Sequence, residues 1–294
     1  MPKTENGFTY EINDKEVSIT EFDGNTDVAE IPAEIEGFPV TELGAYLFSG
    51  KACRIIRIPE KVRKIGRYGF YNCRKLESLS FSGSFLDLGS GAFTGCHHIR
   101  EITVDMNTEE SGLKEVLSEL QEELCVHLTG AIRACLWFPE YYEEGVENTP
   151  ARILMNQVHG SGLYYRNCFQ GKVFNFYEYD RRFEYAKAQE SGDFLREMVY
   201  GRLSEPWGLA DGAKACYETY LRENYESVAL AFVSQRRTEE LTWLLENYPL
   251  DSEKWECFQK MLDAAARFGT AEMRSMLMEY GQVRFPAKRR SFEL

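Results

Sequence analysis

The sequence predicts an α+β protein: a short repeat solenoid with an N-terminal β-hairpin cap, followed by an all-α helical-repeat domain. Three observations predict it. A set of glycine and apolar positions recurs every 22 to 23 residues between about residues 28 and 104. An alternating apolar pattern broken by a polar turn precedes that array. From about residue 109 the apolar spacing changes to threes and fours, the period of a helix. The expected domains are 1–104 and 105–294, and a chain of 294 residues is long enough for two.

The first element is the hairpin. Phe8, Tyr10 and Ile12 alternate, Asn13-Asp14-Lys15-Glu16 turns the chain, and Val17 and Ile19 alternate again. An exposed solenoid end needs a cap, and this hairpin supplies one. Next come three segments in register: Leu43-Gly44-Ala45-Tyr46-Leu47-Phe48, Ile65-Gly66-Arg67-Tyr68-Gly69-Phe70 and Leu88-Gly89-Ser90-Gly91-Ala92-Phe93. Cys73 and Cys96 follow in phase. Pro32 and Pro59 close short strands, where a missing N–H does least harm. Gly44, Gly66 and Gly89 are expected where the chain turns tightly with positive φ. The recurrent phenylalanines are expected to stack and fill the interior, because no single unit buries its apolar face alone.

The run from Ile58 to Cys73 reads I-P-x-x-V-x-x-I-G-x-x-x-F-x-x-C. It resembles the BspA-type leucine-rich repeat of bacteria, over about residues 28–104. The resemblance implies a right-handed solenoid used to bind proteins or surfaces, and many members are secreted. This chain departs from the pattern in a first unit five residues longer than the others and in a short array.

In the second half, Leu113, Val116, Leu117, Leu120, Leu124 and Leu128 form one expected helical stripe. Thr149-Pro150 is expected to start a helix that Gly160 ends. Asn175 starts another, carrying Phe176, Tyr179, Phe183 and Ala186. Further helices are expected at about 192–203, 209–223, 225–235, 238–247, 253–268 and 270–280. The last four pair at an offset of 32, Thr238-Glu239-Glu240-Leu241 on Thr270-Ala271-Glu272-Met273. Ala265-Ala266-x-x-Gly269-x-x-Glu272 resembles the inner turn of an ankyrin repeat, without that family's T-P-L-H signature. The resemblance implies ankyrin- or armadillo-like stacked helix pairs at about 225–281, another binding architecture.

The net charge of −13 is uneven. Residues 105–148 hold 11 acidic and 2 basic side chains, an acidic belt at the junction. That excludes nucleic acid as the main partner, because phosphate binding needs a basic surface. No apolar run approaches the length that spans a bilayer, so no membrane insertion is expected. The start, Met1-Pro2-Lys3-Thr4, has no apolar segment of a signal peptide, and cytoplasmic location is the simplest reading. The eight cysteines contain no C-x-x-C and read as reduced, buried small hydrophobes.

Two groups of side chains are candidate binding sites. Residues 137–185 hold 13 of the 40 aromatic side chains, and Arg152, His159, Tyr164, Tyr165 and Arg166 are the candidate ligand-binding set there. The bland alternative is that the stretch is core. Lys51 to Lys75 is rich in cations, with Arg54, Arg57, Lys61, Arg63, Lys64 and Arg67 expected to form a basic stripe for a partner or for the acidic belt. Catalytic residues: none are proposed, since Gly160-Ser161-Gly162 lacks the nucleophile elbow and any base to serve it. Metal ligands and cofactors: none are proposed either, since Cys125-x-His127 is expected on a helix, where positions i and i+2 face apart. The expected function is a non-catalytic protein–protein interaction module or scaffold. The alternatives are a small-molecule or peptide binder or enzyme using residues 137–185, and surface adhesion.

Overall fold

The computed structural model describes residues 3–85, 87–148 and 153–286. It divides into two compact units, Met1–Ala213 and Lys214–Leu294.

The first unit opens on β1 (Lys3–Glu5), β2 (Phe8–Asn13) and β3 (Glu16–Phe22), with Asp14 and Lys15 in left-handed conformations at the β2–β3 turn, as a two-residue hairpin loop requires. The coils then alternate between two sheets. One sheet takes β3, β6 (Phe38–Leu43), β8 (Lys64–Ile65) and β10 (Asp87–Leu88) in parallel, with β5 (Glu34–Ile35) pairing β6. The other takes β4 (Val28–Glu30), β7 (Ile55–Arg57), β9 (Ser78–Ser82), β11 (Glu101–Met106) and β12 (Leu124–Gly130) in parallel, closed by antiparallel β13 (Ala134–Phe138). This is the solenoid the period predicted, with the hairpin at its start.

An aromatic spine fills it. Phe8 stacks on Phe22, Phe22 meets Phe48, and the rings of Phe48, Phe70 and Phe93 lie nearly parallel at centroid distances of 5.6 and 4.9 Å. Cys73 and Cys96, in their repeat phase, are buried and donate S–H to the Phe48 and Phe70 carbonyls of the preceding coil at 2.9 Å.

The glycines serve a different need from the one expected. Gly44, Gly66 and Gly89 do not have positive φ; left-handed residues are Tyr46, Tyr68 and Gly91, then Gly50, Asn72 and Gly95. What Gly66 and Gly89 supply is clearance between coils. A Cβ on Gly66 would stand 2.4 Å from the Ala45 nitrogen, and one on Gly89 2.2 Å from the Arg67 nitrogen. Backbone cannot rotate aside as a side chain can. Gly66→Ala is therefore expected to lower stability by about 3 kcal/mol, the upper end for overpacking. Gly50→Ala, left-handed but facing open space, should lose only about 1 kcal/mol. Urea unfolding of the two variants checks the order.

Beyond β11 the structure departs from the expected helices. α1 (Leu113–Ser118) uses the first part of the apolar stripe, but Leu124 and Leu128 lie on strand β12. A spacing of four is an even number, so it suits a strand face as well as a helix face. Likewise β14 (Tyr142–Asn148) pairs with β15 (Ile153–His159) where a helix was expected to run to Gly160. Thr149 and Pro150, its expected start, lie outside the described residues. Cross-strand pairing there outweighs local helix signals.

The unit continues with α2 (Gly162–Arg166), the small hairpin β16 (Phe169–Gln170) and β17 (Val173–Phe174), α3 (Phe176–Arg181), α4 (Phe183–Gln189) and α5 (Gly192–Ser204). Asn175 caps α3 by accepting from the Glu178 N–H, as expected, but the expected single helix breaks at Arg182, so Phe183 and Ala186 lie on α4. α5 packs on β13, with Gly201 against Cys135.

The division between the units falls within α6 (Asp211–Glu223). The second unit is helical: α7 (Tyr225–Ser234), α8 (Thr238–Asn247), a 3-10 turn at Ser252–Lys254, α9 (Trp255–Arg267) and α10 (Ala271–Arg284). α7 packs on α8 and α9, and α10 packs on α8 and α9. Positions matched at the 32-residue offset are buried in both pairs: Leu241 with Met273, Leu245 with Leu277, Val233 with Ala265.

Candidate functional site

The expected ligand set does not converge. Arg152 lies outside the described residues. His159, at the end of β15, stacks on Tyr142 at 4.6 Å, and its Nε2 is 3.3 Å from the Glu144 carboxylate. Tyr164 is half exposed and lines a surface depression with Glu178, Arg181, Arg182 and Tyr185. Tyr165 is fully buried, edge-on to Tyr179, and burial pushes its phenol well above its ordinary range. Arg166 is buried, and its guanidinium is spent on backbone carbonyls: Nε on Leu120, Nη1 on Gly162 and Pro139, Nη2 on Glu122. These two side chains face inward, so the aromatic stretch is built largely as core. Ser161 is buried too, its hydroxyl donating to Glu190.

The expected basic stripe is a ladder of ion pairs. Arg54 pairs with Glu77 at 2.7 Å, Arg57 with Glu30, Lys61 with Glu34 at 3.2 Å, Arg63 with Glu16 at 3.2 Å and Lys64 with Glu42 at 2.7 Å. Arg67 is exposed. Each paired carboxylate lies on another coil, some 22 to 47 residues away in sequence. A charge count along the chain does not see those neighbours. The cations are thus largely neutralised where they stand, rather than held ready for the acidic belt.

A surface that sequence reasoning missed lies on the same coils. Tyr46 is 48% exposed and stacks on Tyr68 at 5.2 Å, and Tyr71 meets Tyr68 edge-on at 5.7 Å. Tyr46 and Tyr68 have φ of 59° and 55°. The next coil puts Gly91 in that position, and a Cβ there would stand 2.6 Å from the Tyr68 ring. A left-handed conformation costs a bulky residue about 1–2 kcal/mol. The signal in the sequence is the in-phase series Tyr46, Tyr68, Gly91.

A second missed cluster sits where β11, β12 and β13 meet. Cys125 and His127 are two apart on a strand, not a helix, and so share a face; Cys135 is the cross-strand partner of His127. The Cys125 Sγ is 3.4 Å from His127 Nε2 and 3.5 Å from Cys135 Sγ. Both cysteines are buried, while the His127 side chain is 40% exposed. Glu101, opposite Cys125 on β11, brings its carboxylate to 3.8 Å from His127 Nε2. The hydrogen bond between the Cys125 and Cys135 sulfurs, with His127 adding to the effect, pushes Cys135 down to about 6 against the opposing effect of burial. His127 is raised, chiefly by its hydrogen bond to Cys135. By contrast His97, beside Cys96, is an exposed partner of Glu122.

Comparison with known proteins bears on the solenoid. Residues 19–116 match the family described as BspA type leucine rich repeat region, in six copies. Comparison with curated proteins returns no significant match. Among solved structures, a leucine-rich repeat protein from Bacteroides capillosus is 24% identical, with 44% of this chain and 99% of that one covered and a TM-score of 0.35. A leucine rich cell surface protein from Faecalibacterium prausnitzii is 22% identical, with 35% and 36% covered and a TM-score of 0.30. The T. pallidum leucine rich repeat protein is 18% identical, with 45% and 83% covered and a TM-score of 0.27. This chain thus spans only about a third of the Faecalibacterium protein. No helix among the described residues is long and apolar enough to cross a membrane. With its coils, its phenylalanine spine and six matched copies, the segment 19–116 is similar to the BspA-type leucine-rich repeat region.

Proposed function

We propose that the chain is a non-catalytic protein-interaction module, and that its solenoid meets a partner through Tyr46, Tyr68 and Tyr71. Leucine-rich repeat architectures present extended surfaces that suit protein partners. The observation that carries the reading is the pair of stacked, solvent-reaching tyrosines in left-handed conformations, at a phase where the next coil has glycine. The coils share this turn conformation, and keeping a bulky ring where glycine is easier points to use, and tyrosine is a favoured anchor at interfaces. An adhesive role would use the same surface. The inward engagement of Tyr165 and Arg166 counts against a ligand pocket in residues 137–185.

The helical unit extends the reading. α7–α8 and α9–α10 are two ankyrin-like pairs, supported by their shared offset and by a recurrent tyrosine. The Tyr248 hydroxyl donates to Glu218, and Tyr280 accepts from the Leu250 N–H, each partner 30 residues upstream of its tyrosine. Stacked pairs offer a second contact face.

The test is Tyr46→Gly combined with Tyr68→Gly. Glycine suits the backbone conformation, so the fold should be kept while the rings are removed. Photo-crosslinking from the solenoid surface in the source cell should recover partners at least about tenfold less with the variant, the effect of losing about 1.4 kcal/mol of binding. Equal recovery from a variant of unchanged unfolding temperature would overturn the proposal.

A further inference from the structure

The outer face of the sheet holding β11, β12 and β13 changes character along its length. At one end it carries the exposed pair Arg57–Glu30. At the other, the same row of the register ends in His127 and Cys135, with Cys125 two residues before His127 on the same face, and α5 lies against Cys135 through Gly201. The charged pair of the first coils has given way to an imidazole and a buried thiol, with a second buried thiol beside them. Their donor atoms all lie within 4.8 Å of one another, and this is the one such group of three or more among the described residues.

We propose that Cys125, His127 and Cys135 bind a zinc ion, with the Glu101 carboxylate closing the fourth position. A tetrahedral zinc with Zn–S of about 2.3 Å and Zn–N and Zn–O of about 2.0 Å holds its sulfurs about 3.8 Å apart, sulfur and nitrogen about 3.5 Å apart and nitrogen and oxygen about 3.3 Å apart. The observed separations are 3.5 Å between the sulfurs, 3.4 Å from Cys125 sulfur to His127 nitrogen and 3.8 Å from that nitrogen to the Glu101 oxygen. The two sulfurs and the imidazole need little rearrangement, while the half-exposed Glu101 side chain has to swing inward to complete the site. Two thiolates and an imidazole form a donor set that selects zinc over magnesium or calcium, which prefer oxygen. On binding, the two thiol protons leave to solvent and the sulfurs bond to the metal; nothing is oxidised or reduced. The ion would tie three adjacent strands together where antiparallel β13 ends the run of parallel coils.

The competing chemistry is a disulfide between Cys125 and Cys135. Those residues are not directly opposed, since Cys125 pairs with Trp137 and Cys135 with His127. A disulfide also gives the imidazole no part, whereas a metal uses all three donors.

The test uses the full chain, reduced, stripped with a chelator and returned to zinc alone or cobalt alone. Wild type should retain one equivalent of zinc, and cobalt should give thiolate charge-transfer absorption with the strong visible bands of a tetrahedral ion. Cys125→Ser and Cys135→Ser should each abolish that absorption. His127→Ala probes the same site from a half-exposed position. Glu101→Gln should weaken zinc binding by at least about 10–100-fold, the loss that removing even an outer carboxylate brings. Cys216→Ser, altering an exposed thiol on α6, should change nothing. The proposal fails if wild type holds no zinc, or if the Cys125→Ser and Cys135→Ser variants, folded by circular dichroism, hold as much. It fails equally if mass spectrometry of the freshly isolated chain shows a Cys125–Cys135 disulfide and the reduced chain takes up no metal.

Discussion

Asp180→Asn should be among the most damaging single substitutions in the first unit, lowering stability by about 3–5 kcal/mol. Asp180 on α3 and Arg202 on α5 are both buried, and they meet fork to fork, Nε to Oδ1 at 2.9 Å and Nη2 to Oδ2 at 3.0 Å. Arg202 also donates to the Trp207 and Glu205 carbonyls and lies over the Phe176 ring. Asparagine keeps the shape but removes the charge, so the guanidinium is left buried without its counter-ion. For a chain of this size the thermal midpoint should fall by about 10 °C. The double change Asp180→Leu with Arg202→Met removes both charges together and should be less damaging than Asp180→Asn alone, because a buried pair offsets much of its own desolvation cost. Glu178→Gln, which breaks the exposed Glu178–Arg181 pair one turn away, should leave the midpoint unchanged. A midpoint for Asp180→Asn equal to that of Glu178→Gln would show that the pair is not held dry.

Legibility in the sequence followed how far each signal reaches along the chain. The coils were legible because Phe48, Phe70 and Phe93 repeat at one spacing and stack on one another; a local pattern and a structural contact coincide. The helices from α5 onward were legible for a similar reason, since their burial is set by neighbours three and four residues away. The stretch 113–159 was not. Leu120, Leu124 and Leu128 satisfy both periods, and what makes 124–130 a strand is the row of hydrogen bonds it makes to β11, more than twenty residues back. Nor were the glycines read for the right reason: the need at Gly66 comes from the Ala45 nitrogen of another coil.

The same limit governed the sites. The metal-like spacing Cys125-x-His127 is visible in the sequence, but it was set aside because a helix would point the two apart. On a strand the same spacing brings them together, and Cys135 completes the set only through the β12–β13 register. The cations of residues 51–75 read as a stripe because Glu30, Glu34, Glu16 and Glu77 are remote in sequence and adjacent across the coils. Tyr46 and Tyr68 looked like routine repeat positions until their backbone conformation and exposure set them apart from the buried phenylalanines beside them.

Arg166 is the second position where a large loss is expected, and there the chemistry of the replacement separates two roles. Its guanidinium reaches carbonyls from three separate segments: Leu120 and Glu122, Pro139, and Gly162. The rings of Tyr141 and Phe138 lie against it at 5.1 and 5.9 Å. Burial pushes it down to about 10, which still leaves it charged at neutral pH. Arg166→Met would fill most of the volume and take its donors from four carbonyls, three of these contacts buried, at about 1–3 kcal/mol for each that water cannot reach. A loss of about 4 kcal/mol or more in urea unfolding is expected. Arg166→Lys is the sharper experiment. Lysine keeps the charge, and a residue whose task was to attract an anionic ligand would keep much of its role. A single ammonium cannot span carbonyls that need a planar fork of five donors. Lysine should therefore lose most of what methionine loses. A lysine variant as stable as wild type would return Arg166 to the list of candidate ligand contacts; an unstable one fixes it as the joint between the end of the solenoid and the helices that follow in the same unit.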